Sequence, residues 1–365
     1  MEILFVSRPI LPPWNEGSKN LTWQIASRLK RHRAHLMTTK DGFQGDLEKN
    51  QLHRTYTDHR LTIKQKVRML NSLIMKPPPA DIYHFYFVPT VLTSKILSSV
   101  SFLRRKKTVQ TIPCIPEKLP SQQKMKEVFF ADQIVVYSQF TKERLADWGV
   151  NNVTKINVGI DVSHHDECKP DPLFRKRLGL GNDDILILFS GEYTRLGSVD
   201  ILKRAMREVI TRDRRCHFIV ACRILSKADM KSETELKAYV YRQKIIKNVH
   251  FTGEVSSFAS LLKSCDILFY PVKAMVGKID TPLVILEAMA AGLPVVSHNV
   301  NPLNEMFGNS YLLDSDDAGA ERLLYFASAR EIRQREGDYL RSIAKERFGL
   351  DEMVEAYEVL YDSLG

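Results

Sequence analysis

Short apolar runs alternate with longer stretches of helical spacing through the first 160 residues of the chain. Glu2 to Ser7 is apolar in its middle and predicts a buried strand. Lys19 to Arg31 carries Leu21, Ile25 and Leu29 at the spacing of one buried helix face. Strands that alternate with helices in this way are typical of a parallel sheet with helices packed on it.

The alternation continues in two series. The first series predicts strands at Ala34 to Thr38, Asp81 to Phe85, Thr108 to Ile112, Gln133 to Tyr137 and Lys155 to Val158. The second predicts strands at Ile185 to Ser190, His217 to Ala221, Val249 to Thr252, Asp266 to Tyr270 and Pro294 to Ser297. Gly159, Asp161, Pro170 and Pro172 interrupt regular structure between the series. We therefore predict an α/β protein with two Rossmann-like domains, residues 1–162 and 163–345, and a helical C-terminal end.

The segment from Asp280 to Val296 predicts a helix between a loop and a strand. Thr281 suits the N-cap, Pro282 suits the first helical position, and Gly292 suits the end of the helix. The positively polarised N-terminus would let the backbone amides of Leu283 and Val284 bind a diphosphate without a side chain.

Glu287 stands in the middle of this helix at a position where the pattern would accept an apolar residue. A carboxylate in such a setting needs a hydrogen-bonding partner. Two interpretations follow: the carboxylate binds the hydroxyls of a ribose, or it pairs with a Lys or Arg of the other domain.

Charge is distributed unevenly along the chain. Residues 1–160 contain 25 Lys and Arg against 12 Asp and Glu, a net charge of +13, whereas the remaining 28 and 31 give −3. Such a basic half attracts anionic lipid, a phosphate-bearing acceptor or nucleic acid, or it is simply a solvated surface. The basic amphipathic helix predicted over Lys64 to Met75 suits contact with a membrane surface or an ordinary solvated face. No nucleic-acid-binding motif accompanies the charge.

The five cysteines are widely spaced and suit a reducing cytoplasm. The N-terminal sequence predicts a strand rather than a signal peptide, and no apolar run is long enough to predict a membrane-spanning helix.

The segment around Glu287 resembles the family 4-like retaining glycosyltransferases of the GT-B fold (glycosyl transferases group 1), in which a Leu-Glu-Ala-Met-Ala helix precedes Gly-x-Pro-Val-Val. Similarity extends to Val249 to Val255, Cys265 to Pro271 and Ala131 to Ser138. It implies an acceptor-binding first domain, a nucleotide-sugar-binding second domain, sheets that face a central cleft, and a C-terminal helix, residues 346–365, that returns to the first domain.

The resemblance also implies roles for individual residues. It assigns the donor ribose to Glu287 and the diphosphate to amides of the helix, with Thr281, Leu283 and Val284 at its start. It assigns the sugar hydroxyls to an acid before the helix, for which Asp280 stands one residue later than usual. Further donor contacts fall on Val255 and on the glycine-rich loop, at Gly17 and Ser18, where Lys19 adds charge.

The chain departs from the family pattern at three places. Glu192 and Gly197 replace an Arg and a Lys that bind the diphosphate in relatives, which leaves Arg195 and Arg223 as substitute cations. Cys222 and Arg223 follow the next strand in place of a glycine turn.

Pro113 occupies a position where many relatives have an active-site histidine. His84, on an earlier strand, matches a different family histidine, although a histidine at such a position is more often structural. Loss of the histidine at position 113 suggests a donor sugar with an unusual C6, such as a pentose or a 6-deoxy sugar.

The implied function is a metal-independent retaining hexosyl- or pentosyltransferase, with a nucleoside-diphosphate sugar as substrate and no cofactor. Its acceptor would be a glycan, a lipid-linked molecule or a small molecule. The alternative is a catalytically silent homologue that binds a nucleotide sugar or a partner protein. We expect a cytoplasmic protein that touches anionic membrane through its basic first domain and does not bind nucleic acid.

Overall fold

A computed structural model describes residues 1–12, 14, 16–39, 51–87, 90–100, 105–115, 128–194, 196–275, 277–308, 310 and 312–365. The chain divides into two compact units. Unit 1 comprises Met1–Gly159, Val276–Asp280 and Leu350–Gly365, and unit 2 comprises Ile160–Met275 and Thr281–Gly349. No helix in the described ranges is long and apolar enough to cross a membrane.

Unit 1 is built on a parallel sheet. Its strands are β1 (Glu2–Val6), β2 (Arg33–Thr39), β3 (Leu52–Tyr56), β4 (Ile82–Tyr86), β5 (Lys107–Ile112), β6 (Gln133–Val136) and β7 (Val153–Lys155). Within the described residues their order is β3-β2-β1-β4-β5-β6-β7. The helices are α1 (Gly17–Ala26), α2 (Ile63–Met75), α3 (Val91–Ser99) and α4 (Gln139–Asp147).

Three details of unit 1 differ from the sequence prediction. Helix α1 spans Gly17–Ala26 rather than Lys19 to Arg31, so Leu29 lies outside it. Strand β3 was not predicted, because His53, Arg54 and Thr55 break its apolar pattern; it forms because it pairs with β2. The last strand of unit 1 ends at Lys155, not at Val158. Its extent is set by pairing with β6 rather than by the apolar run that follows.

Unit 2 repeats this architecture. Its strands are β8 (Ile185–Phe189), β9 (Cys216–Val220), β10 (Val249–Phe251), β11 (Ile267–Tyr270) and β12 (Val295–Ser297), in the order β10-β9-β8-β11-β12 over the described part of the chain. The helices are α5 (Val162–Glu167), α6 (Phe174–Arg177), α7 (Ser198–Arg212), α8 (Lys227–Arg242), α9 (Phe258–Ser264), α10 (Leu283–Ala291), α11 (Ala318–Ser328) and α12 (Arg330–Arg347). Both sheets are parallel and buried, which confirms the predicted fold class.

The last helix, α13 (Leu350–Asp362), packs on unit 1, as predicted for the C-terminal helix. The Tyr357 hydroxyl lies 3.0 Å from Thr111 Oγ1 of β5. The Glu358 carboxylate accepts hydrogen bonds from the backbone amides of Lys30 and Arg31, at 2.6 and 2.5 Å. Glu358 is buried, and these amides compensate its loss of water.

Strand order fixes where ligands can bind. In each sheet the chain adds strands on one side of the first strand and then returns to add strands on its other side. This reversal falls between β1 and β4 in unit 1 and between β8 and β11 in unit 2. Open α/β sheets bind ligands outside the carboxyl ends of the strands at such a reversal. In unit 2 a ligand is therefore expected at the loops after β8 and β11.

Candidate nucleotide-sugar site

Helix α10 begins one residue later than predicted. Pro282 is the N-cap, with an extended ψ of 123°, and Leu283 is the first helical residue. Thr281 is buried and makes no capping hydrogen bond. The Pro282 carbonyl accepts from the amides of Ile285 and Leu286, at 3.0 and 3.3 Å, so the helix starts without a side-chain cap.

The start of α10 offers unpaired donors. Among the described residues, the backbone amides of Leu283 and Val284 have no acceptor, and both residues are partly exposed. Uncapped amides at a helix N-terminus bind anions by hydrogen bonding and through the helix dipole. This part of the chain is thus chemically suited to a phosphate group.

The far end of α10 is fixed by two glycines. Gly292 ends the helix with a φ of 77°, as the sequence predicted. Gly337 of α12 lies so close that a Cβ there would come within 2.0 Å of the Gly292 carbonyl oxygen. This close approach of two backbones packs the C-terminal end of α10 against α12.

Glu287 is a partly exposed residue in the middle of α10. None of the described residues forms an ion pair or hydrogen bond with its carboxylate. Burial raises its pKa to about 7, because the carboxylate lies deep among protein atoms without a compensating donor. The alternative, pairing with a Lys or Arg of the other domain, stays a prediction. The site presents an acceptor that a hydroxyl-bearing ligand would satisfy.

Asp280 belongs to unit 1 and is anchored there. Its carboxylate accepts a hydrogen bond from Ser138 Oγ at 2.5 Å, and its backbone amide donates to the Pro113 carbonyl at 2.9 Å. The side chain is buried. These two hydrogen bonds fix the position and orientation of the Asp280 carboxylate.

The loop after β8 carries the first of the three departures from the family pattern. Leu196 and Gly197 have left-handed backbones with φ of 66° and 67°, and Gly197 is the N-cap of α7. Glu192 is partly exposed. Arg195, proposed as a substitute cation, lies outside the described residues.

Two other candidates follow the neighbouring strands. Arg223 follows β9 and is partly exposed, and it makes no ion pair within the described residues. Val255 follows β10 and is partly exposed. Since the strands are parallel, these residues and the start of α10 all lie beyond the carboxyl edge of one sheet.

The candidate donor contacts of unit 1 lie at the start of α1. Gly17 is the first residue of α1, and the Ser18 carbonyl accepts from Thr22 Oγ1 at 2.8 Å. Lys19 is buried, and its ammonium lies 5.9 Å from the centre of the Trp14 ring. The positive charge of Lys19 is therefore stabilised in part by an aromatic face.

His84 is a structural residue. It is fully buried, with Nδ1 2.8 Å from the Tyr361 hydroxyl and Nε2 2.7 Å from Thr111 Oγ1. Burial lowers its pKa to about 3, so the ring is neutral at physiological pH. Both nitrogens are used to tie β4 to β5 and α13, which leaves neither for a donor sugar and corrects its assignment as a catalytic candidate.

Sequence reasoning missed one cation at this edge. Lys273 follows β11, and its aliphatic chain lies against Gly197. No motif marks Lys273, because its position depends on two loops that are far apart in sequence.

Part of the chain is similar in sequence to known glycosyltransferases. Residues 184–327 match the family model described as Glycosyl transferases group 1. An uncharacterised glycosyltransferase from Methanocaldococcus jannaschii is 32% identical over 137 residues, which cover 36% of this chain and 32% of that protein. The N-acetyl-alpha-D-glucosaminyl L-malate synthase of Bacillus anthracis is 22% identical over 192 residues, covering 51% and 48%.

The chain thus spans between a third and a half of the length of these curated relatives. The crystal structure of HepE from Anabaena in complex with UDP-glucose superimposes with a TM-score of 0.78 at 17% identity, over 100% of both chains. Residues 184–327 are therefore similar to the glycosyl transferases group 1 family, and the chain has the GT-B fold.

Proposed function

We propose that this protein is a retaining glycosyltransferase that transfers a sugar from a nucleoside-diphosphate donor without a metal ion. The observation that carries the proposal is that, within the described part of the chain, neither the Glu287 carboxylate nor the first amides of its helix have a hydrogen-bonding partner. One helix thereby offers an acceptor for ribose hydroxyls and donors for a diphosphate. This pairing matches the two polar parts of a nucleotide sugar.

Catalysis would rest on stabilising the leaving group. As the bond to the anomeric carbon breaks, negative charge builds on the diphosphate, and the amides of Leu283 and Val284 oppose it. Arg223 and Arg195 supply further positive charge. The acceptor hydroxyl attacks from the face that the diphosphate leaves, and its proton passes to a diphosphate oxygen.

UDP-glucose, the ligand of HepE, is the first donor to test, and UDP-xylose tests the influence of Pro113 on the C6 side of the sugar. Thermal shift with UDP, GDP, ADP and dTDP sugars identifies the donor. Transfer to sugar and lipid acceptors, followed by NMR of the anomeric proton, then reports activity and stereochemistry. An inverted product, or transfer that requires a divalent ion, would overturn this mechanism.

The departures at Glu192, Gly197 and Pro113 support a second candidate, a silent homologue that binds a nucleotide sugar or a partner. Calorimetry separates the two. Binding of a donor without hydrolysis or transfer to any acceptor tested favours the silent protein, whereas turnover excludes it.

We further propose that α2 attaches the protein to anionic membrane, where a lipid-linked acceptor would lie. Gln65, Met69 and Leu73 form its buried face. Its other faces expose apolar and cationic side chains together: Ile63, Val67, Ile74, Met75, Lys64, Lys66, Arg68 and Lys76. This combination suits insertion among acidic headgroups.

Sedimentation with phosphatidylglycerol vesicles and with neutral phosphatidylcholine vesicles tests this attachment. We expect binding to the anionic vesicles alone, weakened by salt and abolished by the double substitution Ile63→Glu and Met75→Glu. Leu225→Glu is the control, because Leu225 is 65% exposed in unit 2. Equal binding to both vesicle types, or loss with the control, would contradict the proposal.

A further inference from the structure

Lys273 lies at the point of unit 2 where strand order reverses. It follows β11, which pairs with β8, and these two strands flank the reversal. Its backbone amide donates to the Leu196 carbonyl at 2.8 Å, which fastens the loop after β11 to the loop after β8. A ligand bound outside the carboxyl edge at this point would meet both loops.

The side chain of Lys273 fills the space next to Gly197. A Cβ at Gly197 would lie 2.9 Å from Cδ and 3.0 Å from Cγ of Lys273. Only two bonds separate Cδ of Lys273 from its Nζ. The ammonium of Lys273 therefore lies in the region that the side chain of a lysine at position 197 could reach. The left-handed φ of 67° also disfavours any side chain at Gly197. Lys273, in the loop after β11, thus supplies the positive charge that the loop after β8 lacks at Gly197.

The ammonium of Lys273 is loosely held. Its side chain is 54% exposed, and Nζ lies 3.8 Å from Asp316 Oδ2. Arg204 binds the same oxygen at 2.8 Å, and Nε2 of His298 lies 3.3 Å from the other oxygen. Asp316 therefore keeps a cationic partner if Lys273 turns to another anion, and the exchange leaves no carboxylate uncompensated.

We propose that Lys273 binds the diphosphate of the donor in place of the lysine missing at position 197. The inference rests on the proposed function. Its amine would turn from Asp316 to the phosphate oxygens and stabilise the charge that builds on them as the sugar departs. Lys273 thus becomes a specific ligand of the diphosphate and does not act on the nucleoside.

Lys273→Gln tests this assignment, with Lys231→Gln as the matched control. Lys231 is 80% exposed on α8, so its substitution removes the same charge from unit 2. Calorimetry compares UDP, GDP, ADP and dTDP with uridine, guanosine, adenosine and thymidine. We expect Lys273→Gln to weaken binding of the preferred diphosphate by about tenfold to a hundredfold, to leave the matching nucleoside unchanged, and to lower kcat. Lys273→Arg should restore most of the affinity.

The outcomes separate the inference from the function on which it rests. If wild-type protein binds a diphosphate and Lys273→Gln binds it equally well, the inference is wrong and the proposed function stands. An equal loss for the nucleoside would also overturn it, because such a loss reports a disturbed loop. If wild-type protein binds none of the four diphosphates, the proposed function and the inference fail together.

Discussion

Glu287→Gln should stabilise the ligand-free protein while weakening donor binding. Burial raises the pKa of Glu287 to about 7 from an ordinary value of 4.5, so the folded protein binds this proton more tightly than the unfolded chain does. The stability contributed by the protonated acid is complete below pH 4.5 and is lost as the pH rises through 7. At higher pH the ionised carboxylate lowers the free energy of unfolding.

The size of the effect follows from the two pKa values. A pKa that is raised from 4.5 to about 7 corresponds to about 3 kcal/mol at roughly 1.4 kcal/mol per pKa unit. The side chain is partly exposed, and solvent screening reduces the expected gain to about 1–2 kcal/mol. A neutral Gln of the same shape would avoid this cost. It would also be a weaker acceptor for two ribose hydroxyls, which lowers affinity by about tenfold or more.

Urea denaturation at about pH 8 and about pH 4.5 measures the stability difference, and calorimetry with the preferred nucleoside diphosphate measures binding. Glu346→Gln, an exposed acid on α12, is the control. We expect Glu287→Gln to be more stable than wild type at the higher pH and nearly equal at the lower. A variant that is no more stable at pH 8 would refute the burial argument. Undiminished binding by Glu287→Gln and Glu287→Ala would refute the ribose role.

Two further predictions concern packing. Gly337→Ala would place a Cβ 2.0 Å from the Gly292 carbonyl oxygen and should lower the free energy of unfolding, measured in urea, by about 1–3 kcal/mol. Gly319→Ala is the control and should cost little, because its Cβ would meet nothing closer than 3.5 Å. Equal effects of the two substitutions would contradict the close approach. Tyr361→Phe should cost about 1–2 kcal/mol in thermal denaturation because it leaves a buried nitrogen of His84 without a partner, and an unchanged Tm would show that this hydrogen bond does not stabilise α13 on unit 1.

Much of the fold could be predicted because the relevant signals are local. Buried parallel strands are short apolar runs, and the strands at Ile185 and Ile267 were found within one or two residues of their bounds. Gly292 marks the end of α10 because a left-handed backbone favours glycine. Strand β3 escaped prediction because its identity comes from pairing with β2, which its own polar residues do not reveal.

The sequence by itself determined the two parallel sheets and the helix that carries Glu287, because apolar spacing and capping act over a few neighbouring residues. Tertiary structure alone decided what these residues can do. Burial, not sequence, raises the pKa of Glu287, and hydrogen bonds from separate elements make His84 structural. Lys273 meets Gly197 only because β11 and β8 are neighbours in the sheet, a contact between residues that are 76 positions apart.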